Sequence, residues 1–241
     1  MSAAPVAAAG RAKPTLLFVH GAWHGAWAWD RLASVLEARG WIVARVDLPS
    51  VHTPDPVGVH MGDDASVIEH AIAAVDGPVV VVAHSYGGVP TTQAGTGDNV
   101  RHIIYIAAIV LDRGESVLGF TGGVAPTWWS YEGELVTAGT ATETPESLLF
   151  PDVDAGVAAE AVSRLRPQSA LTFQDPLTQV AWRTKPTTYI ITTQDAVAPP
   201  EAQEALARRA GSTIRRIEAS HSPFLSRPDA LADLIEQAAA Q

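Results

Sequence analysis

Ser85 stands at the end of an apolar tract, Val79-Val80-Val81-Val82-Ala83-His84-Ser85-Tyr86-Gly87-Gly88, in which a strand-like run leads straight into x-x-Ser-x-Gly and then into a segment able to start a helix. A serine at the tip of such a sharp turn projects its hydroxyl above a sheet, and small neighbours let strand and helix approach closely. Ala83 stands where the usual pattern has glycine, and alanine is small enough to preserve that approach. A serine hydroxyl is a weak nucleophile at neutral pH, so it needs a base within hydrogen-bond reach and a third group that orients the base. In nucleophile turns of this kind the chain order is Ser, then Asp or Glu, then His. His221 lies in Ala219-Ser220-His221-Ser222-Pro223, the loop between the last apolar strand and the final helix, where the base is expected. Asp195, in Gln194-Asp195-Ala196-Val197 after the run Thr187 to Thr193, is the acid of choice. Asp112, after the run Ile103 to Ala107, is the competing carboxylate; it also reads as the polar start of the segment that follows.

The tetrahedral oxyanion formed when a serine attacks a carbonyl needs preorganised donors. The amide of Tyr86, next to the nucleophile, is one candidate. The other is the amide of Ala22 in His20-Gly21-Ala22-Trp23, where Gly21 permits the required backbone turn. Trp23 and His24 follow this loop and are candidates to line a pocket. Trp128-Trp129 could roof an apolar acyl group, or simply pack one segment onto another. Asp63-Asp64 could suggest a metal, but a helix start favours acidic residues and no clustered histidines accompany them, so no metal site is expected.

These residues need a scaffold that brings distant loops to one edge. Thr15 to Val19, Trp41 to Val46, Val79 to Ala83, Ile103 to Ala107, Thr187 to Thr193 and Thr213 to Glu218 read as strands. Helices are expected over Trp27 to Arg39, Asp63 to Val75, from near Gly87, Pro200 to Ala210 and Pro228 to Ala239. Continuous apolar strands alternating with amphipathic helices specify an α/β fold with a mostly parallel central sheet flanked by helices. The stretch 112–185 breaks the rhythm: it has no continuous β-branched run and carries Pro126, Pro145, Pro151, Pro167 and Pro176. It is read as an inserted helical lid, leaving 15–111 and 186–241 as the core and 1–14 as a disordered leader.

With 241 residues, one core is expected rather than two. The net charge of −10 disfavours nucleic acid and anionic membrane surfaces as partners. The absence of cysteine excludes a disulfide framework, a thiolate metal site and a cysteine nucleophile. No apolar run approaches the roughly 18 to 20 residues that span a bilayer, so a soluble, cytoplasmic protein is expected.

His20-Gly21-Ala22-Trp23-His24-Gly25-Ala26-Trp27, Ala83-His84-Ser85-Tyr86-Gly87-Gly88, Gln194-Asp195 and Ser220-His221 together resemble the α/β-hydrolases grouped with plant methyl esterases and hydroxynitrile lyases, and related bacterial carboxylesterases. The resemblance runs from about Thr15 to Ala239. It implies the α/β-hydrolase fold, a site roofed by the inserted segment, a small-molecule ester substrate, no metal or cofactor, and in many members a homodimer. The lyases of the group resemble one another in a threonine after the first-strand histidine and a lysine after the catalytic histidine; here those positions are Gly21 and Ser222. Both favour a carboxylesterase over cyanohydrin cleavage. The alternatives are the same fold working as a lyase or cofactor-independent oxygenase, or as a receptor that binds a small molecule without turning it over.

Overall fold

The apolar tract around Ser85 forms a strand covered on both faces. In the computed structural model, which describes residues 13–241, Val79–His84 (β3) lies beside Thr15–Val19 (β1) and Val100–Ile106 (β4) and is fully buried. Most of the leader expected over 1–14 lies outside the described residues. Alternate side chains of β1 and β3 enter different cores: Leu17, Val19, Val79, Val81 and Ala83 pack on one face of the sheet, and Leu16, Phe18, Val80 and Val82 on the other. A strand buried on both faces has no polar side to display, which is why these tracts lack an apolar–polar alternation.

Val43–Val46 (β2), Thr187–Thr192 (β8) and Thr213–Ile217 (β9) complete a six-stranded sheet of order β2-β1-β3-β4-β8-β9, parallel at every pairing. The chain runs outward from β1 to β2, then crosses back to β3 on the other side of β1. The loops after β1 and β3 therefore diverge at a topological switch point, the place where open α/β sheets hold their ligands. Helices Asp30–Ala38, Met61–Ala73, Gly88–Ala94, Pro200–Arg209 and Pro228–Ala239 follow the expected order. The expected first helix begins as a 3-10 turn over Ala26–Trp29.

Segment 112–185 differs from the helical expectation. It carries the helices Val117–Phe120, Pro145–Leu149 and Ala155–Arg164, but also Trp129–Glu132 (β5), Leu135–Ala138 (β6) and Gln168–Ser169 (β7), which form a three-stranded antiparallel sheet. β5 and β6 meet across Gly133-Glu134, with Gly133 at φ 60°. A glycine at the first central position is what a two-residue hairpin loop favours. Val136, Phe150, Ala158 and Phe173 anchor the segment in the two cores of the main sheet. Among the described residues, no helix is long and apolar enough to cross a membrane.

Candidate active site

Ser85 sits at φ 50°, in the left-handed region, immediately after β3. For a residue other than glycine such a conformation costs of order 1 to 3 kcal/mol and persists only where its surroundings enforce it. The enforcement here is close packing. A β-carbon on Gly21 would lie 2.6 Å from His84 Nδ1 and 3.0 Å from Ser85 Cβ, and one on Gly88 would lie 2.6 Å from Ile109 O. One on Gly87 would run into the His20 carbonyl. The Ile109 amide also donates to Ser85 O at 3.0 Å, tying the turn to the strand end of β4.

The structure brings Ser85, His221 and Asp195 into one hydrogen-bonded line. Ser85 Oγ lies 3.0 Å from His221 Nε2, and His221 Nδ1 donates to Asp195 Oδ2 at 2.7 Å. Ser85 is partly exposed, whereas His221 is 2% and Asp195 4% exposed. The Asp195 carboxylate accepts further bonds from the Val197 and Ala198 amides, the Thr192 hydroxyl and the Gln203 amide. Burial pushes this carboxyl up, but the His221 imidazole and these hydrogen bonds outweigh burial and leave it below its usual range. The line therefore ends on a fixed anion. Asp112 lies elsewhere, forked onto Arg183 at 3.1 and 2.5 Å, and that guanidinium lowers its pKa.

Two residues outside the expected set hold the His221 loop. His84 Nε2 donates to the His221 carbonyl at 2.8 Å, with the rings 4.7 Å apart. Burial and the neighbouring histidines keep His84 neutral, its pKa far below the ordinary value. From segment 112–185, Asp152 accepts the Ser220 amide at 3.1 Å and also the Ser220 hydroxyl. His84 was visible as part of the serine motif. Asp152 belongs to no periodic pattern, and nothing in the sequence pairs it with Ser220.

The candidate oxyanion donors come from the two loops that flank the switch point. Ala22 follows β1 and Tyr86 follows Ser85, and among the described residues the Ala22 amide has no acceptor. The loop is braced from beneath: His24 Nδ1 donates to Ala22 O at 2.7 Å, and His52 Nε2 donates to His24 O at 3.1 Å. His24, expected to line a pocket, is 1% exposed and packs between Trp27, His84, Phe150 and Phe224. Its place is under the loop, because its ring is needed there to satisfy the Ala22 carbonyl.

Trp23, at φ 62°, joins loop to inserted segment, its indole N–H donating to Val136 O at 2.9 Å and its amide accepted by Gln168 Oε1 at 3.2 Å. Trp128 and Trp129 meet it edge to face at 5.6 and 5.9 Å, and Phe173 bridges Trp129 at 4.4 Å and Tyr86 at 5.2 Å. Trp128 and Trp129 remain partly exposed. An aromatic wall thus runs from the residue after Ser85 into the inserted segment.

His20, Asp47 and His52 bring potential metal-ligand atoms within 4.8 Å of one another. Main-chain groups already engage both ring nitrogens of His20, one of His52 and one oxygen of Asp47. His20 Nε2 accepts the Leu48 amide, His20 Nδ1 donates to Gly21 O, and Asp47 Oδ1 accepts the Ala26 amide. A cation here would have to displace main-chain bonds, so the donor set does not fit one.

Residues 16–234 match the model of the alpha/beta hydrolase family. A Phoma protein named a probable hydrolase is 30% identical, over 94% of this chain and 98% of its own. Pheophorbidase of Raphanus sativus is 28% identical, over 89% of this chain and 90% of its own. A pyrethroid hydrolase from Sphingobium faniae superposes with a TM-score of 0.82 at 23% identity, covering 94% of this chain and 97% of that one, a likeness of fold. With a switch-point site and a family match across nearly its whole length, the chain belongs to the alpha/beta hydrolase family.

Proposed function

We propose that the protein is a serine carboxylesterase that cleaves small hydrophobic esters through an acyl-enzyme. The observation that carries this reading is the line Ser85 Oγ, His221 Nε2, His221 Nδ1, Asp195 Oδ2, with separations of 3.0 and 2.7 Å. Relatives named as hydrolases, esterases and methylesterases support ester hydrolysis in general. Ser85 attacks the ester carbonyl as His221 Nε2 takes its proton, and the amides of Ala22 and Tyr86 receive the developing oxyanion. His221 then returns the proton to the leaving alcohol. In the second half His221 activates water, the acyl–Ser85 bond breaks, and the acid leaves. Asp195, held as an anion, keeps the proton on Nδ1 and stabilises the imidazolium. The wall formed by Trp23, Trp128, Trp129 and Phe173 supports an apolar acyl or alcohol group.

The segment 112–185 serves as the lid over this site. Its aromatic residues reach the wall, and its Asp152 holds the loop that carries His221. Folded protein treated with a fluorophosphonate and analysed by mass spectrometry should carry one adduct on Ser85, and Ser85→Ala should neither label nor hydrolyse p-nitrophenyl acetate. An unlabelled Ser85 in folded protein would overturn the reading and favour a receptor that only binds.

A further inference from the structure

Asp64 is fully buried and takes no part in the steps above. It lies on the helix Met61–Ala73, and its two oxygens accept from two different parts of the site. Oδ2 accepts the Tyr86 hydroxyl at 2.7 Å, and Oδ1 accepts the Ser50 amide at 2.9 Å. Tyr86 is itself buried against Phe173, so its ring has one polar outlet, and Asp64 fills it. Ser50 opens onto the other loop. It belongs to the turn Pro49–His52, whose His52 donates to His24 O and whose preceding Leu48 donates to His20 Nε2 at 3.0 Å. His20 and His24 bracket Ala22. One carboxyl group therefore connects the elbow that presents the Tyr86 amide with the turn that supports the loop presenting the Ala22 amide.

We infer that Asp64 is a positioning residue that fixes the two oxyanion donors, Tyr86 N–H and Ala22 N–H, relative to each other. The inference rests on the serine-esterase reading. Burying a carboxyl costs several kcal/mol unless hydrogen bonds compensate it. That cost pushes its pKa up to about 6, against the pull of Ser50 and Tyr86. An apolar residue would pack this stripe of the helix more cheaply but could not reach both loops. Donors aimed at a developing charge act only when held in place beforehand, and a misplacement of about 1 Å can cost as much as 100-fold in rate.

The test compares wild type with Asp64→Asn, Tyr86→Phe and the double variant. kcat and KM are measured on p-nitrophenyl acetate, together with the inhibition constant of an alkyl trifluoromethyl ketone, which forms a tetrahedral oxyanion on Ser85. Each single variant should lose roughly 10-fold or more in kcat with KM within about twofold. Affinity for the ketone should fall by the same factor as kcat, and the double variant should be no worse than the poorer single one. Tyr86→Phe keeps the ring packed and so carries the test if Asp64→Asn does not fold. Folded variants that lose thermal stability but keep kcat and ketone affinity would overturn the inference, as would a loss expressed in KM alone. A wild type that the fluorophosphonate fails to label would remove the esterase reading and this one with it; a labelled, active wild type with unaffected variants overturns this one alone.

Discussion

His84 Nε2 donates to the carbonyl of His221 at 2.8 Å, so the residue before Ser85 holds the backbone of the proposed base. This bond joins the end of β3 to the loop after β9, so the separation of Ser85 Oγ and His221 Nε2 is fixed where two distant segments meet at one edge of the sheet. His84→Ala should lower kcat on p-nitrophenyl acetate by about 10-fold or more while KM changes little. The lost ring also leaves a buried hole, so urea unfolding should show a stability loss of about 2 to 4 kcal/mol.

The two candidate acids separate cleanly. Asp195→Asn removes the anion that fixes the His221 tautomer, and kcat should fall by roughly 1,000-fold or more. Asp112→Ala breaks the fork with Arg183 and the local bond from the Arg113 amide on a partly exposed surface, and should leave ester turnover and melting temperature close to wild type. Parallel kinetics of the two variants check this, and a large kcat loss in Asp112→Ala would reverse the assignment.

Acid should destabilise the protein well above the usual carboxylate range. Burial lowers the pKa of His20 to about 4, that of His24 to about 3, and that of His84 far below its ordinary value. In the unfolded chain each takes a proton near pH 6.5, so from there downward the unfolded state binds more protons and stability falls as pH drops. Three such groups give a slope of about 4 kcal/mol per pH unit once the unfolded histidines are protonated. Asp64 works in the opposite sense. Its folded pKa of about 6 means the native state holds the extra proton between there and the ordinary aspartate value, offsetting one of the three. The urea midpoint should therefore fall from pH 7 to pH 5, and an unchanged midpoint would contradict the neutral state of these histidines.

Gly87→Ala should be among the most damaging methyl additions in the chain. Its β-carbon would collide with the His20 carbonyl, which belongs to main chain and cannot swing aside. A loss of about 2 kcal/mol or more is expected in urea unfolding, with fluorophosphonate labelling of Ser85 slowed in whatever remains folded.

The sheet and the Ser85 line were legible because they depend on strand tracts and the loops that end them. Val79 to Ala83 and Thr187 to Thr193 announce buried strands, Thr213 to Glu218 becomes a partly exposed edge strand, and the residues that follow all three occupy one edge of the sheet. Asp63 and Asp64 do stand in the first turn of their helix, as the sequence suggests, but that placement alone does not reveal that Asp64 is buried. Asp63 does cap that helix, accepting the His60 amide at 2.9 Å, but its neighbour is rotated by about 100° and faces the core. The buried set Met61, Asp64, Ala65, Ile68 and Ile72 has helical spacing, so Asp64 falls on the apolar stripe, and that misplaced carboxylate was the signal. In segment 112–185, β5 and β6 are four residues each, too short for composition to reveal them. Only Gly133 between Glu132 and Glu134 hinted at the hairpin. Asp152 and Ser220 lie far apart along the chain, and no local rule joins them.

β4 and β8 are neighbours in the sheet, so the chain leaves the sheet after one strand and re-enters it at the next, and everything between is topologically a detour. Evolution can lengthen, shorten or exchange such a detour without re-threading a strand, which frees substrate preference to drift while the reacting groups stay put. The freedom has two fixed points: whatever sequence occupies the detour must still offer a grip for Ser220, as Asp152 does, and one for Trp23, as Gln168 does.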